Sequence, residues 1–414
     1  MTGCPAPALL SPQTLSWEVL KSQVPWPENG LAGFASWKAT GWMVAYYLLS
    51  LLLYRVLPAT EVYGTKLRES GRPLKYRFND FAVWTFIDSN YLQLLTASIM
   101  LAFTVKPGNK HLRELARGGR TGSVIYDFYI GRELNPRVTL PFFGEIDLKA
   151  WLEMRPGLTG WALVDLAFVA KQYRNYGSLS NSILFITAVQ MYYVLEGQYA
   201  ETGLLGMMDI TTDGLGFMLT FGDIAWVPFL YSTQCRYLSM HPVDLDAAGI
   251  AAVGAAFAIG LFIFRAANNQ KALFRRSPDD PRVARMSYIQ TKRGTRLLTS
   301  GWWGVARHIN YFGDWLQASP FTLPTGIAGY LVLPAGSAVA NAGAGGSAMA
   351  DGREVTQGAA RGWGMVYTYL YALYFAVLLV HRERRDDAAC GDKYGADWDK
   401  YKKQVKWRIV PGVY

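Results

Sequence analysis

AAGIAAVGAAFAIGLFIF, residues 247–264, is an uninterrupted apolar run without a single charge. About 20 such residues span the hydrocarbon of a bilayer, so this stretch predicts a membrane helix. Outward from it the pattern recurs at Trp42–Leu57, Leu179–Leu195, Phe217–Leu230 and Tyr367–Val380, and more weakly at Phe81–Val105, Leu158–Val169 and Trp315–Leu333. Several fall short of a full span and need tilt or irregular segments to complete them. Together they predict an all-α, polytopic membrane helix bundle of eight or nine helices.

Composition agrees. Of 414 residues 51% are hydrophobic and only 17% charged, against about 25% in soluble proteins. Met1–Asn29 contains several prolines and no apolar core of the signal-peptide kind. Cys4, Cys235 and Cys390 are scattered and form no CxxC pair, which argues against a disulfide framework. His111, His241, His308 and His381 match no metal-ligand spacing, so no metal is expected. The net charge of +10 is concentrated: Arg265–Arg307 holds ten Lys/Arg against two Asp. That suits a positive-inside membrane flank and an anionic ligand on the same side. No nucleic-acid module accompanies the charge.

Immediately after the apolar run comes ANNQKALFRR, residues 267–276. Lys271 and Arg275 are four apart and share one helix face, an arrangement suited to phosphate. A solvated helix end with snorkelling cations is the structural alternative, and the stronger one from this segment alone. The next cluster is GWWGVARHINYFGD, residues 301–314. Trp303 and Tyr311 could stack on a planar ring, and Asn310 could hydrogen-bond an amide. An interfacial aromatic belt would explain Trp302 and Trp303, but not Arg307, Asn310 and Asp314 beside them. His308 has no partner in the sequence and is expected to be structural. The third cluster is HRERRDDAACGDKY, residues 381–394, followed by Trp398 and Tyr401. Asp386 falls one to two turns beyond the apolar run Tyr367–Val380, and Tyr394 and Tyr401 share a helix face. A charged tail is the competing reading.

Two further stretches carry polar groups at membrane level. YDFYIGRELNPR (126–137) with Glu153 and Arg155 alternates charges and predicts an internal ion-pair network. DITTDGLGFMLTFGD (209–223), with Trp226, Tyr231, Arg236 and Tyr237, places Asp223 inside an apolar run. An ionisable residue there is a functional candidate; a buried pair with Arg236 is its structural alternative. GAGGSA, residues 343–348, matches a dinucleotide fingerprint in form, but an Ala/Gly-rich loop (333–362) surrounds it instead of the required strand and helix.

These stretches, with LEMRPGLTGW and KYGADWDKY, resemble the sterol reductase family, which includes delta-14, delta-7 and C-24(28) sterol reductases and the membrane domain of the lamin B receptor. The resemblance covers the chain from Trp37 to Tyr414. DITTDGLGFMLTFGD and TLPTGIAGY look like the fungal delta-14 branch. It implies a ten-helix membrane fold of the endoplasmic reticulum, with an amino-terminal segment at 1–36 that lacks the family's first helix, a shortened Leu92–Val105, a membrane region at 37–264 and a cofactor-binding region at 265–414. It implies NADPH, held by Lys271, Arg275, Leu298, Trp303, Asn310, Tyr311, Asp386, Cys390, Gly391, Asp392, Lys393, Tyr394 and Tyr401. The implied reaction reduces the C14–C15 double bond of a delta-8,14 sterol during ergosterol-type synthesis. An unpolarised double bond requires protonation before hydride transfer; Asp386 and Tyr231 are the first candidates for the acid, with Asp223 and Tyr237 next. Reduction of a delta-7 or C-24(28) bond is the alternative within the family. The carboxyl end also resembles isoprenylcysteine methyltransferases, and a non-catalytic membrane scaffold is the remaining reading.

Overall fold

The computed structural model describes residues 16–18, 37–56, 60–66, 73–78, 114–116, 118–140, 144–326, 330–333, 347–348, 352, 354–357 and 364–414. Expectations for Phe81–Val105, for the missing first helix and for most of the loop 333–362 lie outside these residues. The chain forms two compact units: Met1–Pro242 with Gly329–Gly364, and Val243–Ala328 with Met365–Tyr414. The boundary expected at 264/265 falls inside a continuous helix.

In the first unit, α1 (Trp37–Val56) is followed by an antiparallel hairpin, β1 (Thr60–Lys66) with β2 (Pro73–Phe78). Helix α2 (Val124–Ile130) starts at Ser123, whose side chain caps the Tyr126 amide. A second hairpin, β3 (Arg137–Leu140) with β4 (Gly144–Asp147), leads into α3 (Leu148–Leu152). The backbone then widens to a π-helix over Glu153–Thr159 and tightens again as α4 (Gly160–Tyr176). After α5 (Asn181–Tyr199), capped by Ser180, the same device recurs: α6 (Phe217–Phe221) opens into a π-helix over Gly222–Leu230, ahead of α7 (Thr233–Leu238). Each π segment contains a proline, Pro156 and Pro228. Proline lacks an N–H and crowds the carbonyl four residues back, and widening the turn relieves both. The two π segments pack together: a Cβ on Gly157 would sit 3.5 Å from the Asp223 carbonyl oxygen, and one on Gly160 would sit 3.5 Å from Pro228.

The polar motifs of this unit converge. Gly131, at φ +90°, crosses the backbone at Leu215 and Gly216 with no room for a side chain, and the Leu215 amide donates to the Glu133 carbonyl at 3.0 Å. Buried Lys149 donates to the carbonyls of Leu134 (2.8 Å), Asp213 (2.6 Å) and Ile210 (3.4 Å). Arg137 pairs with Glu145 (2.7 Å) and Asp147 (3.4 Å), across its own hairpin and not with the Glu153/Arg155 stretch expected to join it in a network between helices.

The second unit is organised on α8 (Ala247–Arg276), capped by Asp246, whose carboxylate accepts from the Gly249 amide at 2.7 Å. Among the described residues it is the one helix long and apolar enough to cross a membrane, and Ile259 and Phe262 are exposed along it. A short hairpin, β5 (Tyr288–Gln290) with β6 (Arg296–Leu298), precedes α9 (Trp302–Val305) and α10 (Ile309–Ala318). Helices α8 and α10 touch backbone to backbone: a Cβ on Gly313 would lie 2.6 Å from the Phe264 nitrogen and 2.9 Å from the Gly260 oxygen. Small residues permit this approach. The span expected at Trp315–Leu333 does not form. Pro320 and Pro324 break the helix into 3-10 turns at Ser319–Phe321 and Leu323–Thr325. Helix α11 (Gly364–Tyr394) runs to Gly395, at φ +53°, after which α12 (Ala396–Gln404) begins.

The all-α expectation holds for the helical framework and needs one correction. Small antiparallel sheets punctuate it, including a three-stranded one of Tyr330–Leu333, Glu354–Gln357 and Ser347–Ala348. They join helices through turns that apolar periodicity does not reveal.

Candidate cofactor site

All thirteen residues expected to hold a cofactor lie in the second unit. Because α8 continues unbroken to Arg276, Lys271 and Arg275 do share a face, one turn apart. The Lys271 Nζ sits 3.7 Å from the centre of the Trp303 ring. Trp303 is itself fixed, its Nε1 donating to the Ala267 carbonyl at 2.8 Å. The next tryptophan is held through its backbone, the Trp302 amide donating to the Gln270 side chain at 3.0 Å. Gly301 turns the chain there at φ +61°, where a Cβ would fall 2.6 Å from that same Gln270 oxygen. Leu298 packs with Phe274, Val283 and Trp303.

The carboxyl-terminal segment closes on this face. Tyr401 donates its hydroxyl to the Trp303 carbonyl at 3.4 Å and stacks on Trp398 at 5.0 Å. Cys390 and Tyr394 pack against that cluster. Trp398 Nε1 donates to Asp387 at 2.9 Å, and Lys393 lies over the Tyr394 ring at 4.9 Å. Asp392 is exposed and Gly391 faces Trp398. Lys271 lies within the field of Arg275, Asp386 and Cys390. The three clusters separated in sequence therefore meet, and neither Lys271 nor Arg275 is in contact with a neutralising carboxylate among the described residues.

His308 was expected to stand alone. Instead its Nε2 lies 2.9 Å from Asp386 Oδ2, and Tyr311 stacks on the ring at 5.0 Å. Asp386 lies beyond the apolar run that ends at Val380. The hydrogen bond from His308 holds its carboxyl below the usual carboxylate range, outweighing partial burial, with further help from Lys271 and Lys393. This is opposite to the direction expected of a carboxyl in an apolar pocket. Burial pushes the Cys390 thiol up to about 12, so it stays protonated.

Sequence reasoning also missed how the last residues brace the site. The Arg307 and His308 amides donate to the carbonyls of Trp407 and Arg408 at 2.9 and 2.8 Å. The Arg307 side chain donates to the Val405 carbonyl at 3.0 Å. Buried Glu383 receives Arg408 and the Tyr414 hydroxyl, each at 3.1 Å. A signal existed only in the density of charge near both segments; nothing in it specified the pairing.

A dinucleotide phosphate suits this donor set. Two cations lie one helical turn apart and an aromatic wall stands beside them; separately, two buried polar atoms that a phosphate does not satisfy, Asn310 Oδ1 and His308 Nδ1, have no hydrogen-bond partner among the described residues. Such atoms cost about 1–3 kcal/mol each unless something meets them.

The other candidates lie in the first unit. Asp223 is within the second π segment and Tyr231 ends it. Tyr231 meets Trp161 edge-on at 5.3 Å, and its carbonyl accepts from Gln190 at 3.1 Å. Tyr237 packs on His241 at 4.6 Å. No group of three or more His, Cys, Asp or Glu that could hold a metal occurs among the described residues.

The described residues form a largely helical framework with one helix long and apolar enough to cross a membrane. Comparison with known proteins goes further. The ergosterol biosynthesis ERG4/ERG24 family matches residues 1–102 and 82–414, and the chain belongs to that family. It is 62% identical to Delta(14)-sterol reductase ERG24B of Gibberella zeae over all of this chain and 92% of that protein. It is 56% identical to Delta(14)-sterol reductase of Neurospora crassa over all of this chain and 90% of that protein. With Delta(14)-sterol reductase erg24B of Aspergillus fumigatus the identity is 49%, covering all of this chain and 86% of the relative.

Proposed function

We propose that this protein reduces the C14–C15 double bond of a delta-8,14 sterol, with NADPH as reductant, as a multi-pass protein of the endoplasmic reticulum membrane. One observation carries the reading: full-length identity of 62% to a protein named for that reaction. The convergence of Lys271, Arg275, Trp303 and Tyr401 supports a phosphorylated nicotinamide cofactor. Lys271 and Arg275 bind phosphate, and Trp303, Asn310 and Tyr311 frame the ring and its amide.

NADPH bound there supplies hydride. The protein's own residues must supply the proton, because an isolated double bond accepts hydride only after it becomes a cation. A proton placed on C15 leaves a tertiary cation at C14, next to the C8 double bond. Asp386 is the leading candidate for the relay, with Tyr231 second and Asp223 and Tyr237 next. Held ionised by His308, Asp386 offsets positive charge, and it must take up a proton from solvent before it can hand one on. Asp386→Asn is expected to lower turnover at saturating NADPH by about a hundredfold or more. Product formation by membranes carrying the variant measures this, and undiminished turnover removes Asp386 from the mechanism.

The function itself is tested by expression in a cell lacking sterol C14 reduction. The reading expects delta-8,14 dienes to be replaced by delta-8 sterols; persistence of the dienes contradicts it.

A further inference from the structure

We infer that His308, locked by Asp386, is a binding residue for the carboxamide of the cofactor's nicotinamide; this rests on the reading that the second unit binds NADPH. The argument starts from the 2.9 Å contact between His308 Nε2 and Asp386 Oδ2. Asp386 is held ionised, so it can only accept, and the imidazole proton belongs on Nε2. In the neutral ring Nδ1 is then an acceptor with a fixed direction. It is buried and has no partner among the described residues. The ring cannot swing to find one. Tyr311 lies flat against it at 5.0 Å, and the His308 amide is tied to the Arg408 carbonyl at 2.8 Å.

Two residues further on, at the start of α10, Asn310 Oδ1 is likewise buried and unpartnered. Two unsatisfied acceptor atoms at neighbouring positions, His308 Nδ1 and Asn310 Oδ1, call for a ligand group offering two donors. A primary carboxamide is such a group. Its NH2 carries two donors and its carbonyl one acceptor, so it complements the Asn310 amide whichever way that amide is turned. Phosphate and ribose do not fit as well: phosphate offers no donor to Nδ1, and ribose hydroxyls lack the planar pairing. The cations of α8 take the charged end, and His308 and Asn310 take the ring's polar handle.

The test uses the purified full-length protein and two ligands, NADPH and 2′-phospho-ADP-ribose, which lacks the nicotinamide. His308→Gln keeps an amide near the Nε2 position, facing Asp386, and removes the Nδ1 acceptor. His308→Asn does the reverse. Calorimetric titration of His308→Gln is expected to show NADPH binding weakened about tenfold, the cost of leaving one such group unmet, with 2′-phospho-ADP-ribose binding unchanged. His308→Asn should retain most of the NADPH affinity. Unaltered NADPH binding by His308→Gln, or equal loss of both ligands, overturns the inference and leaves His308 as a brace for Asp386. Lys271→Met separates the two levels. It should weaken both ligands, and if it weakens neither, the cofactor site is misplaced and this inference falls with it.

Discussion

Replacement of Lys271 and Arg275 together by methionine is expected to weaken NADPH binding by about a hundredfold or more. A hydrogen bond to a charged group contributes about 1.5–3 kcal/mol, and two such bonds lost together exceed two decades of affinity. Methionine preserves the apolar stems, so the helix should persist. Trp303 should also stay in place, because the Ala267 carbonyl holds its indole independently of Lys271. Titration with NADPH and with NADH refines the assignment. If the pair holds the 2′-phosphate, NADPH affinity drops to that of NADH; if it holds the pyrophosphate, both drop. Unchanged affinity for both refutes the phosphate role.

The second large effect is structural. Gly131→Ala should destabilise the first unit severely, because Gly131 combines φ +90° with a backbone crossing at Gly216. Positive φ costs a non-glycine residue about 1–2 kcal/mol, and overpacking adds about 1–3. A fall in thermal midpoint of about 10 °C is the corresponding scale. Gly122→Ala is the control. Its φ is +87°, yet nothing lies within 4 Å of the added carbon, so only the smaller backbone cost applies. Thermal unfolding of the two variants in detergent decides; equal losses would show that the crossing does not limit stability.

The contrast between these sites tells what a sequence can disclose. The Lys271/Arg275 pair was legible because helical periodicity alone puts i and i+4 on one face, and α8 extends far enough to keep them there. The meeting of that pair with Trp303 and Tyr401 was legible only through resemblance, since no local rule joins residues so far apart. The His308–Asp386 contact spans 78 positions and has no periodic signature, so the histidine read as solitary. The expected span at Trp315–Leu333 failed for a local reason: apolar content alone was read, while Pro320 and Pro324 were decisive. The π segments follow from Pro156 and Pro228 in hindsight, but a proline in an apolar run predicts a kink as readily as a widened turn.

The central claim is tested most directly by incubating membranes containing the protein with NADPH and a delta-8,14 diene sterol. The account predicts a delta-8 product, heavier by two hydrogens and saturated at C14–C15, with formation dependent on NADPH. Recovery of the diene unchanged, or reduction of a different double bond, would contradict it.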